Sequence, residues 1–279
     1  MKKKIIIISI VSILLFICLF LCARFIGTKG LKVKEYKLTY ENLINDYHGL
    51  KIVHFSDLHY YSIIKEKELE KVVNEINKLK PDIVVFSGDL FTEKDIKIDL
   101  NKMVNILKKI ECNLKYAVTG NHDASNNENF NFVMNNSNFK ILQDEYELIY
   151  INSYTPVLLL GMSSSINNST NIEDRFNSIN DSLNIETALN ILLLHEPDYI
   201  DKIDYSKFNL ILSGHSHNGQ VRLPIIGKLY TPLGAKKYYD EYYKLNDTDL
   251  YISSGIGTTL YNIRFFNKPS INFYRITNK

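Results

Sequence analysis

Short apolar segments that end in polar residues recur along this chain, and they constrain its fold more than any other feature. The segments at 50–55 and 83–86 are rich in β-branched residues, which predicts buried strands. Between them, apolar residues recur at helical spacing over 65–80, and Pro81 follows the end of that predicted helix. Strands that alternate with helices predict an α/β fold built on parallel strands.

The same patterns predict further elements along the rest of the chain. Residues 31–40 are expected to form an edge strand or an extended stalk, and residues 98–110 a second helix. Further strands are predicted at 114–118, 157–160, 191–194, 210–212, 250–252 and 271–276. The stretch 163–184 is rich in Asn and Ser, which predicts a loop or a weak helix.

Five of the seven histidines lie just after predicted strands. They belong to a series of polar clusters: Asp57-Leu58-His59, Gly88-Asp89, Gly120-Asn121-His122-Asp123, His195 and Gly214-His215-Ser216-His217. Sites in open α/β sheets form outside the carboxyl ends of the strands, so we expect these distant clusters to meet. Asp, Asn and His supply oxygen and nitrogen ligands for divalent metals. The chain is therefore predicted to be a metal-dependent hydrolase.

The ordered series of clusters resembles the calcineurin-like metallophosphoesterases. The resemblance covers residues from about 50 to 276 and includes all five blocks in the family's order. The stretches at 192–198 and 255–266 are similar to a bacterial subgroup that carries an amino-terminal membrane or export segment. Asn218 departs from the pattern, which has a second Gly there. The resemblance implies two packed mixed β-sheets flanked by helices, a four-layer α/β/β/α sandwich.

The resemblance also implies a role for each matching residue. His122 would lie beside the metals and stabilise or protonate the leaving oxygen, and Asp123 would orient its imidazole. Two divalent ions would be held by one set of ligands each and by a shared carboxylate: Asp57, His59 and His217; Asn121, His195 and His215; and the bridging Asp89. Mn, Fe and Zn all accept such ligands, so the metal identity stays open.

Residues 5–23 form an uncharged apolar run, with lysines before it and Arg24 after it. About 20 apolar residues are needed to span a bilayer as a helix. A cleaved signal peptide is the alternative, but its apolar region is usually shorter and it ends at a small-residue site. We expect a retained, single-pass anchor at 1–29, a stalk or edge strand at 30–49, and a catalytic domain at 50–279 outside the cytoplasm.

Charge is distributed unevenly along the chain. Residues 1–37 carry eight Lys or Arg and one Glu, a net charge of +7. The total of 33 basic and 31 acidic residues leaves 25 basic and 30 acidic residues for the rest, a net charge of −5. Binding of duplex nucleic acid depends on neutralising phosphates, so a body of this sign is not expected to bind it. The basic amino-terminal region is better suited to anionic lipid head groups.

These features predict a membrane-anchored phosphoesterase that acts by in-line attack of a metal-bridging hydroxide. The resemblance to the bacterial subgroup implies that the ester is a phosphodiester. The expected substrate is a phosphate ester, associated with lipid or with wall polymers. Two alternatives stay open, a hydrolase of a nucleotide-diphosphate-linked lipid precursor and a catalytically silent metal-binding scaffold. His48 and His54 are expected to be structural. Arg264 is expected to contact a substrate phosphate or to form a surface ion pair. For 236–243, the alternatives are an aromatic lip and a half-buried hairpin.

Overall fold

The computed structural model describes residues 2–92, 99–166, 168–259 and 261–279. Within these ranges the helices are α1 (Lys2–Leu21), α2 (Glu66–Leu79), α3 (Leu100–Leu107), α4 (Asn121–Ala124), α5 (Asn127–Asn136) and α6 (Ile172–Asn180). The strands are β1 (Lys32–Tyr40), β2 (Leu50–Phe55), β3 (Ile83–Phe86), β4 (Leu114–Ala117), β5 (Lys140–Ile141), β6 (Glu145–Ile149), β7 (Val157–Met162), β8 (Leu189–Leu194), β9 (Leu210–Ser213), β10 (Arg222–Leu223), β11 (Gly227–Lys228), β12 (Tyr242–Leu245), β13 (Thr248–Ile252) and β14 (Ser270–Asn278).

Two mixed sheets of six strands form the centre of the molecule. The first has the order β1-β14-β2-β3-β4-β5, and the second has the order β12-β13-β9-β8-β7-β6. Parallel pairing joins β2, β3 and β4 in the first sheet, and β7, β8, β9 and β13 in the second. The carboxyl ends of the parallel strands within each sheet therefore lie along one edge.

The apolar side chains of the central strands alternate between two cores. In β2, Ile52 packs between the two sheets, whereas Val53 and Phe55 pack under the helices of the first sheet. The helices α2, α3 and α5 cover that outer face, and α6 covers the outer face of the second sheet with Ile172 and Phe176. Helices therefore flank two stacked sheets, and the predicted four-layer fold class is confirmed.

Most long apolar segments form the predicted elements. The strands at 50–55 and 83–86 have the predicted bounds, and α2 occupies residues 66–79 of the predicted 65–80. The predicted helix at 98–110 is observed as Leu100–Leu107, while Ile98 lies outside the described residues. The stretch 163–184 includes the short helix α6.

The amino-terminal helix α1 has no buried residue, and it continues into a π-helical segment, Cys22–Gly27. These 26 residues contain an 18-residue stretch with a mean hydropathy of 3.3, and they are long enough to span a membrane. Ala23, near the end of this segment, is buried. Its carbonyl accepts a hydrogen bond of 3.0 Å from the backbone N–H of Arg264. The end of the apolar segment is thus in contact with the folded domain.

Candidate metal centre

Strands from both sheets deliver the predicted ligands to one place. Asp57 follows β2, Asp89 follows β3, Asn121 follows β4, His195 follows β8 and His215 follows β9, each within four residues of the strand's end. The parallel strands of each sheet end at the same edge, and the two sheets are stacked, so five separate loops meet above that edge. This arrangement matches the expectation that the polar clusters converge outside the carboxyl ends of the strands.

Asp89 lies between two groups of histidines. Its Oδ2 atom is 3.2 Å from His195 Nε2 and 3.6 Å from His59 Nε2. On the other side of His59, the His217 Nε2 atom is 3.2 Å from His59 Nε2 and 3.3 Å from Asp57 Oδ1. Potential ligand atoms lie within 4.8 Å of one another in the groups Asp57, His59 and His217, and Asp89, His195 and His215.

Two of these histidines are oriented by hydrogen bonds to backbone carbonyls. His195 Nδ1 donates to the Ser87 carbonyl at 2.6 Å, so its Nε2 faces Asp89. His215 Nε2 is 2.7 Å from the Leu233 carbonyl, and donation there leaves Nδ1 to face the cluster. Such bonds select the tautomer of a histidine that ligates metal and fix the direction of its lone pair.

The electrostatics of the cluster also suit cations. Burial lowers the pKa of His59 to about 3, so this imidazole is neutral and offers a lone pair. Burial raises the pKa of the Asp57 carboxyl to about 7, and the nearby Asp89 adds to that rise while His195 opposes it. Burial acts on Asp89 as well, but His195 and His59 hold its pKa well below the usual value. Divalent ions would neutralise these buried carboxylates, so the donor set fits a dinuclear metal centre.

The backbone is strained where the ligands stand. Five predicted ligands have positive φ angles: Asp57 (51°), His59 (40°), Asp89 (61°), His215 (65°) and His217 (48°). Residues other than glycine adopt this left-handed conformation rarely and at a cost, and such residues concentrate at functional sites. The surrounding packing therefore holds the ligand loops in backbone conformations that are unfavourable for these residue types.

Gly120 permits a close approach to Asp89. A Cβ atom at Gly120 would lie 2.1 Å from Asp89 Oδ1 and 2.4 Å from the Asp89 backbone nitrogen. Any larger residue would therefore displace the carboxylate that lies between the two histidine groups. The glycine before Asn121 is required by the geometry of the centre.

The short helix α4 carries the two predicted catalytic residues. The His122 backbone N–H donates to Asp89 Oδ1 at 3.0 Å, and its ring is 5.2 Å from the His59 ring.

The carboxylate of Asp123 contacts other groups than the His122 imidazole, which it was expected to orient. Its carboxylate accepts hydrogen bonds from the backbone N–H groups of Gly120, Asp89 and Leu90 at 2.9, 2.7 and 2.8 Å. Among the described residues no hydrogen bond joins it to the His122 ring. Asp123 therefore holds the β3 and β4 loops together.

Arg264 has a role that the sequence did not indicate. Its side chain is buried, and its guanidinium donates to the carbonyls of Ser254, Gly255 and Gly257, with the Gly257 bond at 2.6 Å. It also lies 3.3 Å from His217 Nδ1. Neither a surface ion pair nor a contact with substrate fits this position. Arg264 instead supports the loop beneath His217, and no pattern in the sequence indicates that this arginine is buried.

A pocket of about 700 Å³ opens over the centre. Polar residues of the candidate site line it, namely Asp89, Asn121, His122 and His215. Its lining also includes the apolar residues Val221, Leu229, Tyr230, Pro232 and Ile263. The pocket thus joins the metal-ligating groups to an apolar wall.

The family comparison agrees with this geometry. The calcineurin-like phosphoesterase family matches residues 50–219, which is more than half of the chain and includes the whole ligand series. The chain belongs to the calcineurin-like phosphoesterase family. The predicted family and the predicted enzyme class, a metal-dependent phosphoric ester hydrolase, are therefore confirmed.

Several members of this calcineurin-like family are similar over most of their length. An uncharacterized metallophosphoesterase of Bacillus subtilis, YkuE, is 28% identical and covers 91% of this chain and 88% of its own. The phosphodiesterase YaeI of Escherichia coli is 22% identical over 81% of this chain and 82% of its own. The UDP-2,3-diacylglucosamine pyrophosphatase LpxG of Chlamydia muridarum is 26% identical over 82% and 84%.

A solved structure supports the fold. The structure of TT1561 of Thermus thermophilus has a TM-score of 0.50 against this chain, at 12% sequence identity. The match covers 75% of this chain and 90% of that protein. At this identity the likeness supports the shared fold alone.

Proposed function

We propose that this protein is a membrane-anchored phosphodiesterase with a dinuclear metal centre. The observation that carries the proposal is the position of Asp89, with Oδ2 at 3.2 Å from His195 Nε2 and 3.6 Å from His59 Nε2. A single carboxylate between two groups of imidazoles is suited to bridge two cations and to offset their mutual repulsion.

Each metal would have its own set of ligands beside the shared carboxylate. The proposed sets are Asp57, His59 and His217 for the first ion, and Asn121, His195 and His215 for the second. When bound, two divalent ions supply the positive charge that activates water and stabilises a phosphoryl group under attack. The chain's own residues hold the ions, orient the ester and exclude competing ligands. Mn, Fe and Zn remain the candidate metals, because all three accept this mixture.

His122 is the proposed acid for the leaving group. It lines the same pocket as Asp89, and it is only partly buried, so its ring can reach a bound ester. Proton donation from an imidazole at this position would stabilise the alkoxide that leaves phosphorus. Asp123 supports this step indirectly, because it caps the backbone on which His122 and Asp89 stand.

A retained anchor is supported by the contacts at the end of the apolar helix. Ala23 is buried, and a Cβ atom added to Gly27 would lie 1.6 Å from the Arg264 carbonyl oxygen. Cleavage of the segment as a signal sequence would remove this fitted contact. We therefore propose a single-pass protein of the cell membrane, with the catalytic domain outside the cytoplasm.

The substrate class follows from the pocket and from the relatives. YaeI is named a phosphodiesterase, and LpxG a pyrophosphatase of a diacylated sugar nucleotide. The apolar wall formed by these lining residues favours an ester with an apolar portion, as in a phospholipid or a lipid-linked wall precursor. Hydrolysis of a nucleotide-diphosphate-linked lipid is the second candidate, favoured by the same wall.

The test uses the full chain in detergent with Mn²⁺ and bis-p-nitrophenyl phosphate. We expect hydrolysis that Asp89→Asn abolishes, and that Asp181→Asn, a change at an exposed carboxylate, leaves intact. A glycerophosphodiester and a diphosphate-linked lipid, assayed in parallel, separate the two candidate substrates. Equal activity of Asp89→Asn and the unsubstituted protein would refute the proposed site. Inactivity of the unsubstituted protein towards every ester would favour the scaffold alternative.

A further inference from the structure

The hairpin of β10 and β11 presents an unusual apolar tip beside the pocket. Its three-residue turn contains Ile225, which is fully exposed, and Ile226, which is 71% exposed. Ile225 has a φ angle of 70°, a conformation that is an outlier for a β-branched residue. Turns with positive φ ordinarily use Gly or Asn, so this isoleucine costs stability and gains no contact within the described chain.

The tip continues into a wider apolar surface at the mouth of the pocket. Leu229, Tyr230 and Leu233 follow the hairpin and are 57%, 59% and 69% exposed. Phe266, on the neighbouring segment, is 70% exposed. Leu229 and Tyr230 also line the pocket, so the same surface runs from solvent into the site. Contiguous exposed apolar surface of this kind marks a contact with a partner or a membrane.

The hairpin is tied to the end of the apolar amino-terminal segment. The Arg264 backbone N–H donates to the Ala23 carbonyl at 3.0 Å. One residue later, the Phe265 carbonyl accepts a hydrogen bond of 2.9 Å from the Arg222 N–H at the base of the hairpin. Ile225 at the tip is three residues from Arg222, which is about 10 Å at the usual rise per residue of a strand. The apolar surface is therefore continuous with the element that the proposed function places in the bilayer.

We infer that the surface formed by Ile225, Ile226, Leu229, Tyr230, Leu233 and Phe266 inserts into the interfacial layer of the bilayer that holds α1. The pocket then opens at the lipid surface, and an amphiphilic phosphate ester can enter it along the apolar wall without crossing water. Aromatic residues at the edge of such a surface suit the head-group region. This inference rests on the proposed membrane anchor, and it adds a second contact and a direction of substrate entry.

The chain contains no tryptophan, which permits a direct depth measurement. Ile226→Trp in the full chain places the only indole at the hairpin tip. Tyr154→Trp is the matched control, because Tyr154 is fully exposed and lies shortly before β7, at the end of the strands opposite the metal ligands. Each protein is reconstituted into vesicles of phosphatidylcholine and phosphatidylglycerol, with and without lipids that carry bromine on the acyl chains.

We expect quenching by brominated lipid to be at least about twofold stronger for Ile226→Trp than for Tyr154→Trp, together with blue-shifted emission. Ile225→Trp repeats the measurement if the first variant does not fold. Equal quenching of tip and control would overturn the inference. Blue-shifted emission without quenching would also overturn it, and would indicate that a second copy of the chain covers the surface. Quenching requires no turnover, so its result is independent of whether the metal centre hydrolyses an ester.

Discussion

At the scale of single residues, the buried histidine His54 lies beside the candidate metal centre and has a structural role. His54 lies within β2, and its Nε2 atom is 2.8 Å from Ser87 Oγ, in the loop that also orients His195. Burial lowers the pKa of His54 to about 3. It was expected to be structural, and its position behind the ligands agrees with that role. Its neutral state in the fold makes the stability of the protein sensitive to acid.

The sign of this pH effect follows from proton linkage. Between pH 6.5 and 3 the unfolded chain protonates His54 and the folded chain does not, so stability falls as the pH falls. From pH 7.5 to 5.5 this residue alone should cost about 1.4 kcal/mol of unfolding free energy. His54→Gln keeps a donor for Ser87 and removes the titration. Urea unfolding at both pH values should show a smaller acid loss in the variant, by that amount. An equal loss in both proteins would contradict the assignment.

Gly120 provides the sharpest residue-scale test of the centre. A Cβ atom there would lie 2.1 Å from Asp89 Oδ1, so Gly120→Ala should displace the carboxylate. We expect diesterase activity to fall by about 100-fold or more, equivalent to about 3 kcal/mol in the transition state. Gly49→Ala is the control, because Gly49 has a φ angle of 89° but no atom within 4 Å of a built Cβ. It should lose about 1 kcal/mol of stability and retain its activity. Full activity of Gly120→Ala would contradict the geometry.

At the scale of elements, the long apolar strands were predictable and the short connections were not. The segments at 50–55 and 83–86 are short, mostly apolar and centred on Ile and Val, and burial on both faces makes such segments recognisable. The helix α5 has the sequence NENFNFVMNN. Asparagine has a low helix propensity, so the sequence does not indicate this helix, and packing of its buried residues stabilises it. The strands β10 and β11 have two residues each, too few for a periodic pattern.

The candidate metal ligands were predictable for a similar reason. Histidines recur together with Asp, Asn and Gly just after predicted strands, where sites form in open α/β sheets. The role of Asp123 was not readable, because its partners are backbone N–H groups of loops that only the fold brings together. The burial of Arg264 was hidden likewise, since the carbonyls that it contacts belong to an irregular loop.

The connection between the β3 loop and α4 can be tested through Asp123. Asp123→Asn places an amide donor against N–H donors, so we expect unfolding free energy to fall by about 2–3 kcal/mol. Metal affinity should fall with it, because the Asp89 loop loses its cap. His122→Asn should instead keep stability and metal content and lose activity alone. Calorimetry and metal analysis of the two variants separate these roles. Unchanged stability of Asp123→Asn would contradict the structural role of that carboxylate.

At the scale of the whole molecule, two stacked sheets bring loops from opposite halves of the chain to one edge. The first sheet supplies Asp57, Asp89 and Asn121, and the second supplies His195 and His215. Neither sheet has a complete set of candidate ligands, so the proposed dinuclear centre would form only when both sheets have folded and packed. The apolar segment at the amino terminus then contacts the loop that supports His217 through Ala23 and Arg264.

The metal content of the purified full chain tests the proposed dinuclear centre most directly. After loading with Mn²⁺ and removal of free ions, elemental analysis should give two ions per chain for the unsubstituted protein. Asp89→Asn should retain no more than one, because the carboxylate shared by the two histidine groups is lost. Fewer than one ion in the unsubstituted protein, or two ions retained by Asp89→Asn, would contradict the dinuclear centre.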